Sequence, residues 1–190
     1  MEEEKKDIKK AIETLREGGV VLFPTEYGWG LGGDATKNMV IEKMLKIAGA
    51  TAKNNIVVII DNTSKLQTYL DEVPDMAWDL IDLTEKPMTI IYSSPINLAQ
   101  NLLTTDTSVA IMVTTDNFAK AICSQFRNPI AFVPGIAGGK PRPVLFSEMS
   151  STIIASVDFT VRSQQTKKIA TTLPALIKLG KGNLFEIIRK

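Results

Sequence analysis

The segment that most constrains the fold runs from Gly18 to Thr36 and reads GGVVLFPTEYGWGLGGDAT. It begins with two glycines and the apolar run Val20 to Phe23, which predicts a buried strand. Four more glycines follow Pro24, and we expect a loop there, because glycine tolerates positive φ and lets the backbone approach a ligand closely. Since α/β proteins bind ligands in loops that follow buried strands, this segment predicts a binding site at one end of a sheet.

Apolar runs and helically spaced apolar residues alternate along the rest of the chain, which is typical of an α/β fold. Further strands are predicted at Ile56–Ile60, Pro87–Tyr92, Ser108–Val113, Ile130–Val133, Phe159–Arg162, Leu176–Leu179 and Leu184–Ile188. Helices are predicted at Glu2–Glu17, Asn38–Ile47, Thr63–Leu70 with Thr63 as cap, Pro74–Leu83, Asp116–Phe126 and Ser147–Ser156. No linker interrupts this alternation, so we expect a single domain over residues 1–190.

The composition is that of an ordinary globular protein, with 44% apolar and 23% charged residues. No apolar run approaches the roughly 20 residues that a membrane span needs, and the charged start MEEEKKDIKK does not resemble a signal peptide, so we expect a cytoplasmic protein without membrane contact. The net charge of +1 gives little attraction to nucleic acid. Nucleic-acid binding stays possible through Lys140, Arg142 and the stretch Arg162 to Lys168, although solvated loop charges are the simpler interpretation.

The chain has no histidine and one cysteine, Cys123. The first fact removes the usual general base near neutral pH and the Ser-His and Cys-His nucleophile pairs. A single cysteine allows no intrachain disulfide and no cysteine metal cluster. The helical spacing of Cys123 with Phe118, Ile122 and Phe126 favours a buried structural thiol.

The chain resembles the YrdC-type L-threonylcarbamoyladenylate synthases, whose first motif reads roughly G-G-V-x-x-x-P-T-D-T-x-x-G-L-x-x-D-A. The matching residues are Gly18, Gly19, Val20, Pro24, Thr25, Gly30, Leu31, Asp34 and Ala35. The similarity continues through Pro87-Met88-Thr89, through Ser108 to Val113 and through Ala175 to Lys178. It implies a YrdC-like twisted, open, mixed sheet flanked by helices around a large central cavity. It also implies an enzyme that condenses threonine, bicarbonate and ATP.

The same resemblance shows departures at the ligand-contacting motifs. The K-x-R pair of the family falls at Ala48-Gly49-Ala50, and the arginine of its G-x-R-V strand falls on Met112. The second threonine of P-T-D-T is Tyr27, and Gly28 follows it. The serine-rich loop is replaced by a segment with Phe132, Pro134 and Ile136, and the Ser/Thr pair of the last motif by Pro174-Ala175. A neutral side chain cannot make the contacts that guanidinium makes with phosphate or carboxylate.

These substitutions predict a pocket with apolar walls that binds a small apolar or aromatic molecule and lacks the family's catalysis, as a natural pseudoenzyme or an engineered protein. The predicted ligand-binding residues are Thr25, Tyr27, Gly28, Trp29, Ala48, Ala50, Met112, Phe132, Pro134, Ile136 and Ala175. Glu26 is the candidate for a general base, with a salt bridge to a lysine as the alternative. We predict no metal and no cofactor. The alternative is an active L-threonylcarbamoyladenylate synthase that uses ATP and binds double-stranded RNA.

Overall fold

The computed structural model describes residues 2–84, 86–135, 142–170, 172–180 and 184–190. The α-helices of these residues are α1 (Glu2–Arg16), α2 (Asn38–Ala48), α3 (Leu66–Tyr69), α4 (Asp75–Leu83), α5 (Asn117–Phe126) and α6 (Ser151–Ser156). Short 3₁₀ segments lie at Ala50–Asn55, Thr63–Lys65, Gln100–Leu102 and Phe146–Glu148. Among the described residues, no helix has the length and apolar character that crossing a bilayer requires.

The strands of the described residues form one mixed sheet. They are β1 (Val21–Thr25), β2 (Gly28–Asp34), β3 (Val57–Ile60), β4 (Met88–Tyr92), β5 (Val109–Val113), β6 (Ile130–Pro134), β7 (Phe159–Thr160), β8 (Ala175–Leu179) and β9 (Phe185–Arg189). Their order in the sheet is β7-β1-β2-β6-β3-β5-β4-β8-β9. The pairs β1–β7, β3–β5 and β4–β8 are parallel, and the other neighbours are antiparallel. The predicted α/β class with a mixed sheet is therefore confirmed.

The glycine-rich segment is a strand, and its prediction as a loop was wrong. β1 and β2 form a hairpin with Thr25 opposite Gly28, and only the two residues between them turn the chain. Gly28 is the one glycine of β2 with positive φ, at +96°. The other glycines of β2 are explained by packing: a Cβ on Gly30 would lie 2.3 Å from the Val133 carbonyl oxygen, a contact that no real Cβ makes. Glycine permits close approach here, but to the protein's own core.

Helices cover the sheet with apolar faces whose spacing is visible in the sequence. In α1, Ile8, Ala11, Ile12 and Leu15 recur at helical spacing and are buried, while glutamates occupy the first turn, where they complement the helix dipole. α1 packs against α5, and α2 packs against β2. Around the β1–β2 hairpin the core is aromatic, and the Phe23 and Phe132 rings meet edge to face at 5.5 Å.

Two details of the predicted helices and strands need correction. Asn62, and not Thr63, caps the turn before α3, because its side chain accepts the Ser64 amide hydrogen. The strand predicted at Phe159–Arg162 shortens to the two residues of β7.

Candidate functional site

The first cavity, of about 490 Å³, lies where the 3₁₀ segment Ala50–Asn55 and the start of β3 face strands β5, β8 and β9. Its walls are mainly apolar and include Ile56, Val57, Ile91, Leu102, Val109, Ala110, Leu173 and Leu176. Polar groups on these walls come from Asn54, Asn55, Thr104 and Ser108. A few hydrogen-bonding groups on apolar walls are the usual composition of a small-molecule site.

Among the described residues, four basic side chains line the first cavity. They are Lys53, Arg142, Arg189 and Lys190, and the described residues of the lining include no aspartate or glutamate. This is a local concentration of positive charge in a chain whose net charge is only +1. Burial and the nearby Arg189 both lower the pKa of Arg142. An anion between two guanidinium groups would relieve their repulsion, so the arrangement favours an anionic ligand.

Arg189 belongs to a hydrogen-bonded network at the wall of the first cavity. Its Nε and Nη2 atoms donate to the Pro174 carbonyl oxygen at 3.0 and 2.9 Å, and Nη2 also lies 3.2 Å from the Tyr27 hydroxyl. That hydroxyl is hydrogen-bonded to Thr89 Oγ1. Burial raises the pKa of Tyr27 against the opposing effect of these partners, so the phenol stays neutral at physiological pH.

The second cavity, of about 480 Å³, lies beside the first and shares Leu173 and Lys190 with it. Its lining mixes both signs of charge: Lys86, Lys167, Lys168 and Lys190 are basic, and Glu26 and Asp116 are acidic. Lys167 and Asp116 form an ion pair. The second cavity therefore carries less unbalanced positive charge than the first.

Glu26 is a structural anchor at the start of α5. Its Oε1 accepts hydrogen bonds from the backbone amides of Thr115 and Asp116, at 2.5 and 2.8 Å, and from the hydroxyls of Thr114 and Thr115. These donors occupy the carboxylate that the sequence suggested as a general base, and no lysine forms the alternative salt bridge with it among the described residues. The geometry supports neither prediction for Glu26.

The predicted binding residues lie in several different parts of the structure. Tyr27 and Pro134 line the first cavity, and Thr25 and Ala175 line the second. Trp29, Met112 and Phe132 are fully buried in the core and line neither cavity. Gly28 lies in the β1–β2 hairpin beneath the Pro143 carbonyl, and Ala48 ends α2. The side chain of Ala50 and all of Ile136 lie outside the described residues.

The core placement of three of these residues corrects the predicted pocket. Trp29 packs on Phe146 with ring centroids 4.9 Å apart. Met112 lies in β5 between Ile59 of β3 and Thr89 of β4. The apolar side chains at these positions therefore pack in the protein interior. The uncharged lining that they predicted is not found in the first cavity.

Comparison with known proteins identifies the family. The model of the Sua5_yciO_yrdC family, described as "Telomere recombination", matches residues 13–190. The chain belongs to this family. Among curated members, a threonylcarbamoyl-AMP synthase of Pseudoalteromonas translucida is 26% identical over 157 residues, which are 81% of this chain and 84% of that protein. A protein of the same name from Halorhodospira halophila is 28% identical over 120 residues, which are 63% of each chain.

Solved structures of the Sua5/YciO/YrdC family share the fold. E. coli YciO superposes with a TM-score of 0.84 at 20% identity, covering 98% of this chain and 89% of that one. Sua5 of P. abyssi, solved in complex with L-threonine, superposes with a TM-score of 0.81 at 22% identity. The match covers 93% of this chain, which spans about half (51%) of that Sua5 chain. At these identities the likeness establishes the fold alone.

The sequence prediction missed Arg189, a cation of the site that is hydrogen-bonded to both Tyr27 and Pro174. Arg189 lies 162 residues from Tyr27 in the chain. The run FEIIRK indicates only that a basic residue follows an apolar strand, and it does not predict a contact with Tyr27. Lys53 lies close to the Ala48-Gly49-Ala50 positions of the K-x-R pair but is not among the predicted binding residues. Its position in the 3₁₀ segment, rather than in a continuing helix, brings it to the first cavity.

Proposed function

We propose that this chain is a threonylcarbamoyl-AMP synthase, which condenses threonine, bicarbonate and ATP with release of pyrophosphate. The observation that carries the proposal is the first cavity, whose described lining residues include four basic side chains, no acidic one and mainly apolar walls. Family membership and the names of the curated relatives support the same reaction. They support it better than an apolar ligand pocket without catalysis.

The chemistry of the cavity suits a nucleoside triphosphate. In phosphoryl and nucleotidyl transfer, most of the catalysis comes from positioning and from neutralising charge on the phosphate oxygens. Lys53, Arg142 and Arg189 supply positive charge for this. The apolar wall around Ile91 and Leu176 suits a planar base.

Arg189 has a geometry suited to holding an anion in place. The Pro174 carbonyl and the Tyr27 hydroxyl fix its Nε and Nη2 atoms. The guanidinium is thus oriented before a ligand arrives, so a phosphate or carboxylate needs little side-chain ordering to bind.

The test is pyrophosphate release from ATP, with the product identified by mass spectrometry. We expect release that requires both threonine and bicarbonate. Replacing Arg189 with methionine should reduce the rate about 100-fold, the usual cost of removing one donor to developing charge. The control is Lys178→Met in neighbouring β8, because Lys178 pairs with the exposed Asp106 and lines neither cavity. Absence of release by the wild type would refute the proposal.

The first cavity has mainly apolar walls, which favours one competing hypothesis: that this chain binds a small aromatic molecule. The two are separated by thermal stabilisation: a synthase is stabilised by ATP, and an apolar binder by uncharged aromatics but not by ATP. Binding of double-stranded RNA stays a prediction, which a salt-dependent electrophoretic shift would test.

A further inference from the structure

The two cavities are neighbours and have lining residues in common. Leu173 and Lys190 line both of them. Tyr27 lines the first cavity, whereas Thr25, Glu26 and Pro174 line the second. The boundary between the cavities therefore passes through the turn of the β1–β2 hairpin and the segment that precedes β8.

Tyr27 is the central component of this boundary. Its side chain crosses from the hairpin to β4, where the hydroxyl meets Thr89, and it is only 4% exposed. The backbone holds the residue in place, since the Tyr27 amide donates to Thr25 Oγ1 at 3.0 Å. On the side of β9, the Arg189 guanidinium lies 5.7 Å from the ring centroid.

Arg189 completes the boundary by linking Tyr27 to the next segment. It bonds the Tyr27 hydroxyl through Nη2 and the Pro174 carbonyl through Nε and Nη2. Pro174 lines the second cavity and Arg189 lines the first, so the hydrogen-bonded residues Tyr27, Arg189 and Pro174 span the boundary. The ring of Tyr27 is the largest rigid group among these three residues.

We propose that Tyr27 determines the size of ligand that the first cavity accepts, by keeping the two cavities apart. The proposal rests on the proposed function, in which the first cavity holds the nucleotide and its co-substrate. With Tyr27 in place, these ligands share a space of about 490 Å³. With a small residue there, the first cavity opens into the second, of about 480 Å³. A larger amino acid or a bulkier nucleotide then fits.

Two variants separate the volume of the side chain from its hydroxyl. Tyr27→Thr removes the ring but keeps a hydroxyl, so it opens the boundary. Tyr27→Phe keeps the ring and removes only the bonds to Thr89 and Arg189, so it leaves the cavities separate. Tyr27→Ala provides a second small side chain that is apolar, in case the threonine variant does not fold.

The experiment measures cavity shape and ligand size directly. Crystal structures of the variants give the cavity volumes, and we expect one continuous cavity about twice as large in the threonine or alanine variant, but two cavities in the phenylalanine variant. In solution the probes are anilinonaphthalene sulfonate and its dimeric form, bis-anilinonaphthalene disulfonate, whose sulfonates suit the basic residues and whose rings suit the apolar walls. We expect the dimeric dye to gain about tenfold in affinity relative to the monomeric dye when the ring is removed.

Each readout has a result that would overturn the proposal. Two separate cavities in the small-residue variants would show that other side chains form the boundary. An unchanged ratio of dye affinities would show that Tyr27 does not limit ligand size, and so would an equal gain in the phenylalanine variant. Circular dichroism and thermal melting confirm that each variant is folded. Neither readout uses ATP or turnover, so failure of this proposal is distinguishable from failure of the synthase proposal.

Discussion

Removing the Glu26 carboxylate should destabilise the fold more than it impairs chemistry. In Glu26→Ala, the backbone amides of Thr115 and Asp116 lose the acceptor that lies 2.5 and 2.8 Å away, and the hydroxyls of Thr114 and Thr115 lose theirs. A buried donor left without a partner costs about 1–3 kcal/mol. Since Thr115 is exposed and water can replace one of these bonds, we expect a total loss of about 2–4 kcal/mol.

Glu26→Gln distinguishes the structural role from a catalytic one. The amide oxygen of glutamine still accepts from the two backbone amides, but hydrogen bonds to a charged acceptor are stronger than those to a neutral one, so we expect a loss of about 1 kcal/mol. The assay is urea denaturation of the three proteins, followed by pyrophosphate release under conditions where each is folded. A general base contributes about 100-fold or more. The anchoring role would be refuted if both variants had wild-type stability while Glu26→Gln released pyrophosphate about 100-fold more slowly.

Three further predictions follow from packing and charge. Gly30→Ala should lower the free energy of unfolding by about 2–3 kcal/mol, because its Cβ would meet the Val133 carbonyl at 2.3 Å and backbone must move; urea denaturation at wild-type stability would contradict this. Burial raises the pKa of Asp158, but Lys43, 2.6 Å away, and backbone hydrogen bonds lower it overall. The Lys43–Asp158 pair therefore stabilises the fold above about pH 4, and this stabilisation is lost as the carboxylate is protonated at lower pH. Since the pair is partly exposed, Asp158→Asn should cost about 0.5–1 kcal/mol at pH 7, and the difference from wild type should shrink at pH 3; a constant difference would contradict the account. Burial strongly raises the pKa of the Cys123 thiol, so a thiol reagent should label the protein in urea but not in its native state.

Much of the fold could be predicted because local patterns determine it. The buried run Val57–Ile60 and the amphipathic face of α1 have a single simple interpretation each, and the structure confirms both. Strand β2 could not be predicted, because its glycines reflect contacts with Val133 and with other core residues far away in the sequence. A run of glycines looks the same whether it forms a loop or accommodates a neighbouring strand.

The candidate site was predicted less well, for two physical reasons. The resemblance predicts Met112 and Phe132 as pocket residues because they align with ligand-contacting motifs. Such an alignment does not show whether a replaced side chain still faces the cavity, and both of these side chains are fully buried. The cations come from segments distant in sequence, and Arg189 reaches Tyr27 only through the pairing of β9 with β8 and of β8 with β4. Tyr27 itself was predicted as a site residue, and it lines the first cavity.

The proposed function requires that the first cavity bind a nucleoside triphosphate through its basic side chains. Isothermal titration with ATP measures this binding for the wild type, for Arg189→Met and for the control Lys178→Met. We expect saturable binding that weakens at higher salt, falls about tenfold or more in Arg189→Met and is unchanged in Lys178→Met. No heat of binding from the wild type at millimolar ATP, or equal affinity in all three proteins, would contradict this expectation.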